Sequence, residues 1–552
     1  MLVATSHIAA PHVDWTQLAP IVALGLGMIV SLVLGLLGGN TGKVLAIVAG
    51  VIGAGTAGIL AMTLWNSQDD VGGSFASHHG VARVIAGSLV MDKAALAGIV
   101  IACASAIAGL AIAARGRGTD DAGHGETAAL ILASATGMAI LAAANDLVTV
   151  FLGLELLSIP LYVLCASHVD RAASLESGLK YLILGSVGSA TALMGIALIY
   201  GATGEMNIDK ISQVAGQGDL RGLVVPGVAL LVAGFGFKLS LAPLHQWTPD
   251  VYDGAPTAVT AFMSVGTKAA ALIVTARLLI VGFGQAGTGG VASLYDYWHP
   301  LLYVLAAASI IVGNVGALGQ PSMKRLLGYS SIAQAGYLIA ALSVGAVTGM
   351  LAYLIAYAVS TLTVFAVVAA REVERPDLGD DIAALDGIAH DRPLLAWLGT
   401  IGMFGLAGLP LTAGFFGKII VSGYLIQGGE TWLAVLLIVG SIISLAYYVS
   451  PVLRMWRAEP APFPGGDGAP APEPGAVLVS AAGVPETAPA HGEPYGARRS
   501  INEPRSVLAP RAPWELGAIA VIFAVLTLVL GVWPQPLFNL ANDARQAIFT
   551  LH

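Results

Sequence analysis

Hydrophobic residues run through this chain in blocks of about 20, the length that carries one helix across a bilayer core, with short polar connections between them. The blocks are apolar on every side rather than striped at 3.6 or alternating at 2, so they predict membrane-spanning helices and not the half-buried elements of a soluble domain. About fourteen spans are predicted. The first eight run over Leu18–Gly38, Val44–Trp65, Ala94–Ala114, Glu126–Ala144, Leu147–Ser167, Ser177–Gly201, Gly222–Trp247 and Pro256–Gly282. The other six run over Leu301–Leu318, Arg325–Val344, Met350–Ala370, Leu394–Ile426, Trp432–Met455 and Trp514–Trp533. The fold class that follows is an all-α polytopic membrane protein.

Two blocks are interrupted. The seventh contains GFGFKLSLAPLHQW and the twelfth GLAGLPLTAGFFGK, each with glycines, a proline and one lysine. A helix break inside a span frees backbone groups that lipid cannot satisfy, so it is tolerated where protein or a polar cavity receives them. The breaks lie five spans apart, and five is odd. A tandem repeat of five spans reverses its own orientation, so spans 4–8 and 9–13 are expected to be inverted copies with the broken helix fourth in each. Corresponding interruptions in two inverted halves mark a transport site. The expected organisation is a three-span region over 1–115, repeats over 126–282 and 301–457, a hydrophilic loop over 458–512 and a last span in 513–552.

Composition agrees with the pattern. The 552 residues are 56% hydrophobic and 11% charged, with mean hydropathy +0.81, whereas a soluble chain carries about 25% charged residues. The net charge of -8 resides largely in loops, which excludes a basic nucleic-acid surface. Cys103 and Cys165 stand alone inside hydrophobic runs, so neither a disulfide framework nor a metal or iron–sulfur site is predicted. The start MLVATSHIAAPHVDW lacks a basic stretch ahead of an apolar core, so no cleaved leader is expected and the first span directs insertion. Lys43, Arg115, Arg171, Lys324, Arg371 and Arg454 all follow odd-numbered spans, which places those connections in the cytoplasm and both termini outside. The loop 458–512 is so rich in Pro, Ala and Gly that it is expected to be mostly disordered.

Charges within the spans carry the chemistry. Glu155 lies nine residues past Asp146, about 13 Å along a helix, and a carboxylate at that depth needs a cation or a proton. Lys238, in the first break, is the natural partner. Lys268 lies twelve residues beyond Pro256 among alanines, suited to give up and regain a proton. Lys418, past Pro410 and Gly414 in the second break, either relays protons or caps freed carbonyls. His245, just after Pro243, suits a relay between Lys238 and Lys268, or else simply donates to a carbonyl. Lys180 sits near the cytoplasmic end of span six, where snorkelling competes with a relay role. Lys324, Arg325 and Arg277 read as anchors at the membrane interface.

The stretch GFGFKLSLAPLHQWTPDVYDGAPTAVTAFMSVGTKAA resembles the central signature of the antiporter-like membrane subunits of respiratory complex I, the proton-pumping NADH:quinone oxidoreductase. The resemblance extends over the membrane portion and fails only in the inserted loop. It implies a proton path through Glu155, Lys238, Lys268 and Lys418, with Lys180 and His245 at further family positions. Among the three types L, M and N, the chain is similar to N: Lys418 replaces the glutamate of M, no long lateral helix follows the last span, and Tyr353 and Tyr357 stand where L and M carry histidine. The implied partners are other membrane subunits, including the antiporter-like M type and smaller chains, within a bacterial plasma membrane. FMN, iron–sulfur clusters and quinone are implied on other subunits, and no cofactor on this one. The same fold also builds cation/proton antiporter and membrane-bound hydrogenase subunits, which is the alternative.

Overall fold

The computed structural model describes residues 13–70, 82–115, 123–215, 221–284, 294–457 and 514–549. The loop expected to be disordered lies outside these residues. The described chain is almost wholly helical. Its first spans are α1 (Trp15–Gly35), α2 (Gly39–Asp70), α3 (Lys93–Ala113), α4 (His124–Ala143), α5 (Leu147–Cys165) and α6 (Ala172–Thr203). A short helix, α7 (Ile208–Val214), precedes the first broken passage, formed by α8 (Arg221–Lys238) and α9 (Trp247–Gly254). Then come α10 (Thr257–Ala276), α11 (Tyr295–Ala317), α12 (Met323–Ser343) and α13 (Val347–Glu374). After the short α14 (Ile388–Asp391), the second broken passage is α15 (Pro393–Ala407) with α16 (Ala413–Gln427). The chain closes with α17 (Thr431–Arg457), α18 (Trp514–Val532) and α19 (Gln535–Phe549).

Among the described residues, twelve helices are long and apolar enough to cross a membrane. With each broken pair taken as one passage, the count reaches the fourteen predicted. The breaks fall fourth among the five passages that begin with α4 and fourth among the five that begin with α11. Two features are not foreshadowed by the hydrophobic blocks: an antiparallel hairpin of β1 (Ala82–Val84) and β2 (Leu89–Met91), and α19, whose Leu537, Ala541, Ala544 and Ile548 are buried. Both are too short or too mixed in polarity to register in a 20-residue window.

Helix starts follow local chemistry. Asp14, Asp92, Asp146 and Ser322 each accept hydrogen bonds from backbone N–H groups in the first turn of α1, α3, α5 and α12, satisfying donors the helix leaves free. Between helices, packing relies on small residues, because lipid gives apolar side chains no reason to prefer each other. At Gly27, for example, an added Cβ would lie 3.0 Å from the Gly53 Cα, so the backbones of α1 and α2 meet there.

Burial is uneven, and this positions the site. Every residue of α10 is buried, and α12 and α13 are nearly so. Helices α1, α2, α6, α17 and α18 present most of their length to the surroundings. The central helices therefore have protein on all sides, which allows them to carry polar groups that lipid would reject. Arg277 and Lys324, read from the sequence as interface anchors, stand at helix ends but face protein rather than lipid. Arg277, at the start of a π-helical turn (Arg277–Gly282), is fully buried with Asp92 at 2.7 Å. It also donates to the Ala142 and Ala144 carbonyls at the end of α4. Lys324 is buried against the Ala255 carbonyl at 3.0 Å and Asp380 at 3.7 Å. A window that measures only distance from a span's end does not separate a lipid-facing lysine from one facing neighbouring helices.

Candidate proton path

Each broken passage places a buried lysine at its break, and in the second the ammonium meets the carbonyl end of the first half-helix. Lys238 is the last residue of α8. The Lys418 side chain, from α16, reaches the end of α15 and donates to the Leu406 carbonyl at 3.1 Å and the Ala407 carbonyl at 2.8 Å. The last carbonyls of a helix lack intrahelical donors and carry the negative end of its dipole, so a cation is favoured there. Gly408 makes the second arrangement possible. Its φ of +80° turns the chain out of the helix, and a Cβ there would lie 2.8 Å from the Lys418 Cδ.

The ion pair expected between Glu155 and Lys238 is not formed. Lys238, 3% exposed, donates to the Ser158 hydroxyl at 2.8 Å and the Tyr181 hydroxyl at 2.9 Å. Glu155 and Ser158 lie three residues apart on α5 and so share a face, and it is the serine, nearer the break, that meets the ammonium. Glu155 stays half-buried, close enough for its charge to act on Lys238, with Oε1 making no hydrogen bond. Its neighbours Leu152 and Ile159 are exposed, so it stands near the outer wall of this chain.

Lys268 is 1% exposed and reaches across to α12, where it donates to the Ser331 carbonyl at 2.5 Å and to the Ser331 hydroxyl. That hydroxyl also contacts the Tyr252 and Tyr357 hydroxyls, each at 3.2 Å. Between the Lys238 group and the Lys268 group stands Trp247. Its ring stacks on Tyr181 at 4.6 Å and lies 6.4 Å from Tyr252, while its indole N–H donates to the Phe237 carbonyl. His245 is half-buried in the break, but neither ammonium donates to it. Lys180 belongs to a different network. It pairs with Glu176 at 2.6 Å and Asp250 at 2.8 Å, and Asp250 also holds Arg325 at 2.8 Å. With its side chain 39% exposed, Lys180 does not join the buried chain.

From Lys418 a further chain leads back toward Lys268. The Leu406 carbonyl that accepts from Lys418 also accepts from the Gln334 amide at 3.1 Å. The same amide nitrogen donates to the Tyr448 hydroxyl at 3.1 Å, and the Tyr353 hydroxyl donates to the amide oxygen. Tyr448 in turn contacts the Ser330 hydroxyl, and Ser330 is adjacent to Ser331 on α12. A side branch runs from Tyr337, whose ring lies 5.3 Å from the Lys418 nitrogen, to Asn314 at 3.0 Å and on to Tyr447 at 2.9 Å. Sequence reasoning identified the lysines because charge inside a span is rare. Ser158, Tyr181, Ser330, Ser331, Gln334 and Tyr448 escaped it because serine, tyrosine and glutamine occur in any span. One signal was present in the PSMKRLLGYSSIAQAGY stretch, where two serines and a glutamine crowd one and a half turns.

Three lysines buried among hydroxyls and carbonyls, two of them at helix breaks, define an ion-translocating membrane subunit of the antiporter type. The family described as "NADH:quinone oxidoreductase/Mrp antiporter, TM" matches residues 144–444, and the chain belongs to it. Within that family it is similar to NADH-quinone oxidoreductase subunit N of Trichlorobacter lovleyi, at 39% identity over 70% of this chain and 79% of that one. Among solved structures, it matches a chain of respiratory complex I from Thermus thermophilus with bound aureothin at 29% identity and TM-score 0.70, covering 94% of this chain and 98% of that one. A chain of the Mrp complex from Dietzia sp. DQ12-45-1b shares the fold, with 21% identity, TM-score 0.78 and 97% of each chain covered.

Proposed function

We propose that this chain is the proton-translocating N-type membrane subunit of an NADH:quinone oxidoreductase, driven by quinone reduction elsewhere in the complex. The observation that carries this reading is the burial of Lys238, Lys268 and Lys418 with no ion pair to any of them among the described residues. A buried ammonium held by a carboxylate is locked in its charged state, whereas one held by hydroxyls and carbonyls has no counter-ion to lose when its proton leaves. Glu155 at the outer wall receives the electrostatic signal, Lys238 and Lys268 exchange protons in the first half, and Lys418 in the second. Passage between the Lys238 and Lys268 groups requires Trp247 to be bypassed through the break, where His245 lies. The two five-helix sets are inverted copies, the connections after odd-numbered spans face the cytoplasm, and both termini face outward. FMN, iron–sulfur clusters and quinone are held by neighbouring subunits, among them an M-type subunit and smaller membrane chains.

Purification of the tagged chain with mass spectrometry of co-eluting proteins tests the assignment. Flavin- and iron–sulfur-binding subunits of an NADH:quinone oxidoreductase are expected. Recovery with cation/proton antiporter or hydrogenase subunits instead would overturn it. Lys268→Met in the assembled complex is expected to lower protons taken up per NADH oxidised.

A further inference from the structure

Gln334 is the carboxamide that stands between Lys418 and the Tyr448–Ser330 route toward Lys268, and it is 1% exposed. Hydroxyl groups both donate and accept, so a row of serines and tyrosines passes a proton by rotating. A carboxamide does neither in turn: its nitrogen only donates and its oxygen only accepts. Here both N–H groups are engaged, one with the Leu406 carbonyl and one with Tyr448. The orientation is determined by Leu406, because turning the amide over would set its oxygen against that carbonyl. Lys418 donates to the same carbonyl, and a backbone carbonyl accepts a hydrogen bond without taking the proton. The route from Ser330 through Tyr448 therefore ends at a donor, on the near side of Lys418.

We propose that Gln334 is a positioning residue that acts as a latch, holding Lys418 out of proton exchange with the Tyr448–Ser330 chain until its amide turns. The inference rests on the proton-path reading. A latch differs from a relay in its consequence: it prevents protons from returning between Lys418 and Lys268 while the signal from the quinone site is absent. Removing it leaves both lysines in place but lets the transfer run in either direction.

Gln334→Met and Gln334→Glu in the full complex separate the possibilities. Methionine keeps the volume and removes every hydrogen bond. Glutamate keeps the shape but offers acceptor oxygens that bind and release protons. The measurement is proton uptake in vesicles per NADH oxidised, with Lys418→Arg as the reference. The expected result is that both Gln334 variants fall to the ratio of Lys418→Arg while NADH oxidation continues and becomes insensitive to uncoupler. A purely structural defect would instead lower the NADH oxidation rate together with assembly. A wild-type ratio in Gln334→Met overturns the proposal, since packing alone then suffices. A low ratio in Gln334→Met with a wild-type ratio in Gln334→Glu also overturns it, since Gln334 is then a conducting link. A wild-type ratio in Lys418→Arg strikes the underlying proton-path reading rather than the latch, so the two failures are distinguishable.

Discussion

Replacing Lys418 by arginine isolates proton release from charge. The ammonium sits on the Leu406 and Ala407 carbonyls, and a guanidinium, with five donors, serves the same two acceptors. If Lys418 only caps the end of α15, the arginine variant keeps the cap, the charge and the pumping. If Lys418 releases its proton in each cycle, arginine fails for a calculable reason. Emptying a guanidinium of ordinary pKa about 12.5 at pH 7 costs about 7 kcal/mol at about 1.36 kcal/mol per pH unit. A membrane potential of about 100 mV offsets only about 2.3 kcal/mol per charge. The remaining deficit of about 5 kcal/mol slows the step more than about a thousandfold. The assay is proton uptake in vesicles containing the assembled complex, normalised to NADH oxidation, with oxidation itself reporting assembly. A wild-type ratio in Lys418→Arg would refute the claim that Lys418 must lose its proton.

Three further outcomes are expected. Ser158→Ala with Tyr181→Phe removes both hydrogen bonds to the Lys238 ammonium, each worth about 1.5–3 kcal/mol for a charged group; the double variant should pump less per NADH than either single one, and a wild-type ratio in the double would exclude their role. Arg277→Met leaves Asp92 buried without its cation, at a cost of about 3–5 kcal/mol, so thermal unfolding of the purified complex should occur at lower temperature, with partial recovery when Asp92→Asn is added. At Asp380, in the loop between α13 and α14, burial pushes the carboxyl up, but Lys324, Ser322 and Arg171 outweigh it and hold the group below its ordinary value. The stabilisation is therefore present above the ordinary carboxylate pKa of about 4 and is lost as pH falls through the lower folded value, so Asp380→Asn should lower thermal stability at neutral pH and flatten its dependence on acid; an unchanged acid profile would exclude this contribution.

What the chain determined by itself is what depends on composition over about one helix length. Twenty apolar residues in a row leave a helix as the only way to satisfy the backbone in lipid, so twelve spans were legible, and the glycines and prolines around Lys238 and Lys418 marked both breaks. The rarity of charge in such segments singled out Glu155, Lys238, Lys268 and Lys418. Side-chain partnership was decided by the tertiary structure, because it depends on which faces of distant helices meet. Glu155 and Lys238 are opposite charges within the first half, yet the register of α5 against α8 brings Ser158, one turn from Glu155, to the ammonium. Lys180 resembles the other lysines in sequence, but the fold sets Asp250 beside it. Arg277 resembles an anchor, but α3 and α4 close over it. Gln334 and Tyr448, 114 residues apart, carry no signal that either will touch the other. A hydrogen bond is specified to within a few tenths of an ångström by helix packing, whereas membrane insertion tolerates any apolar side chain of about the right size, so the first is invisible in a hydrophobic pattern and the second is written plainly in it.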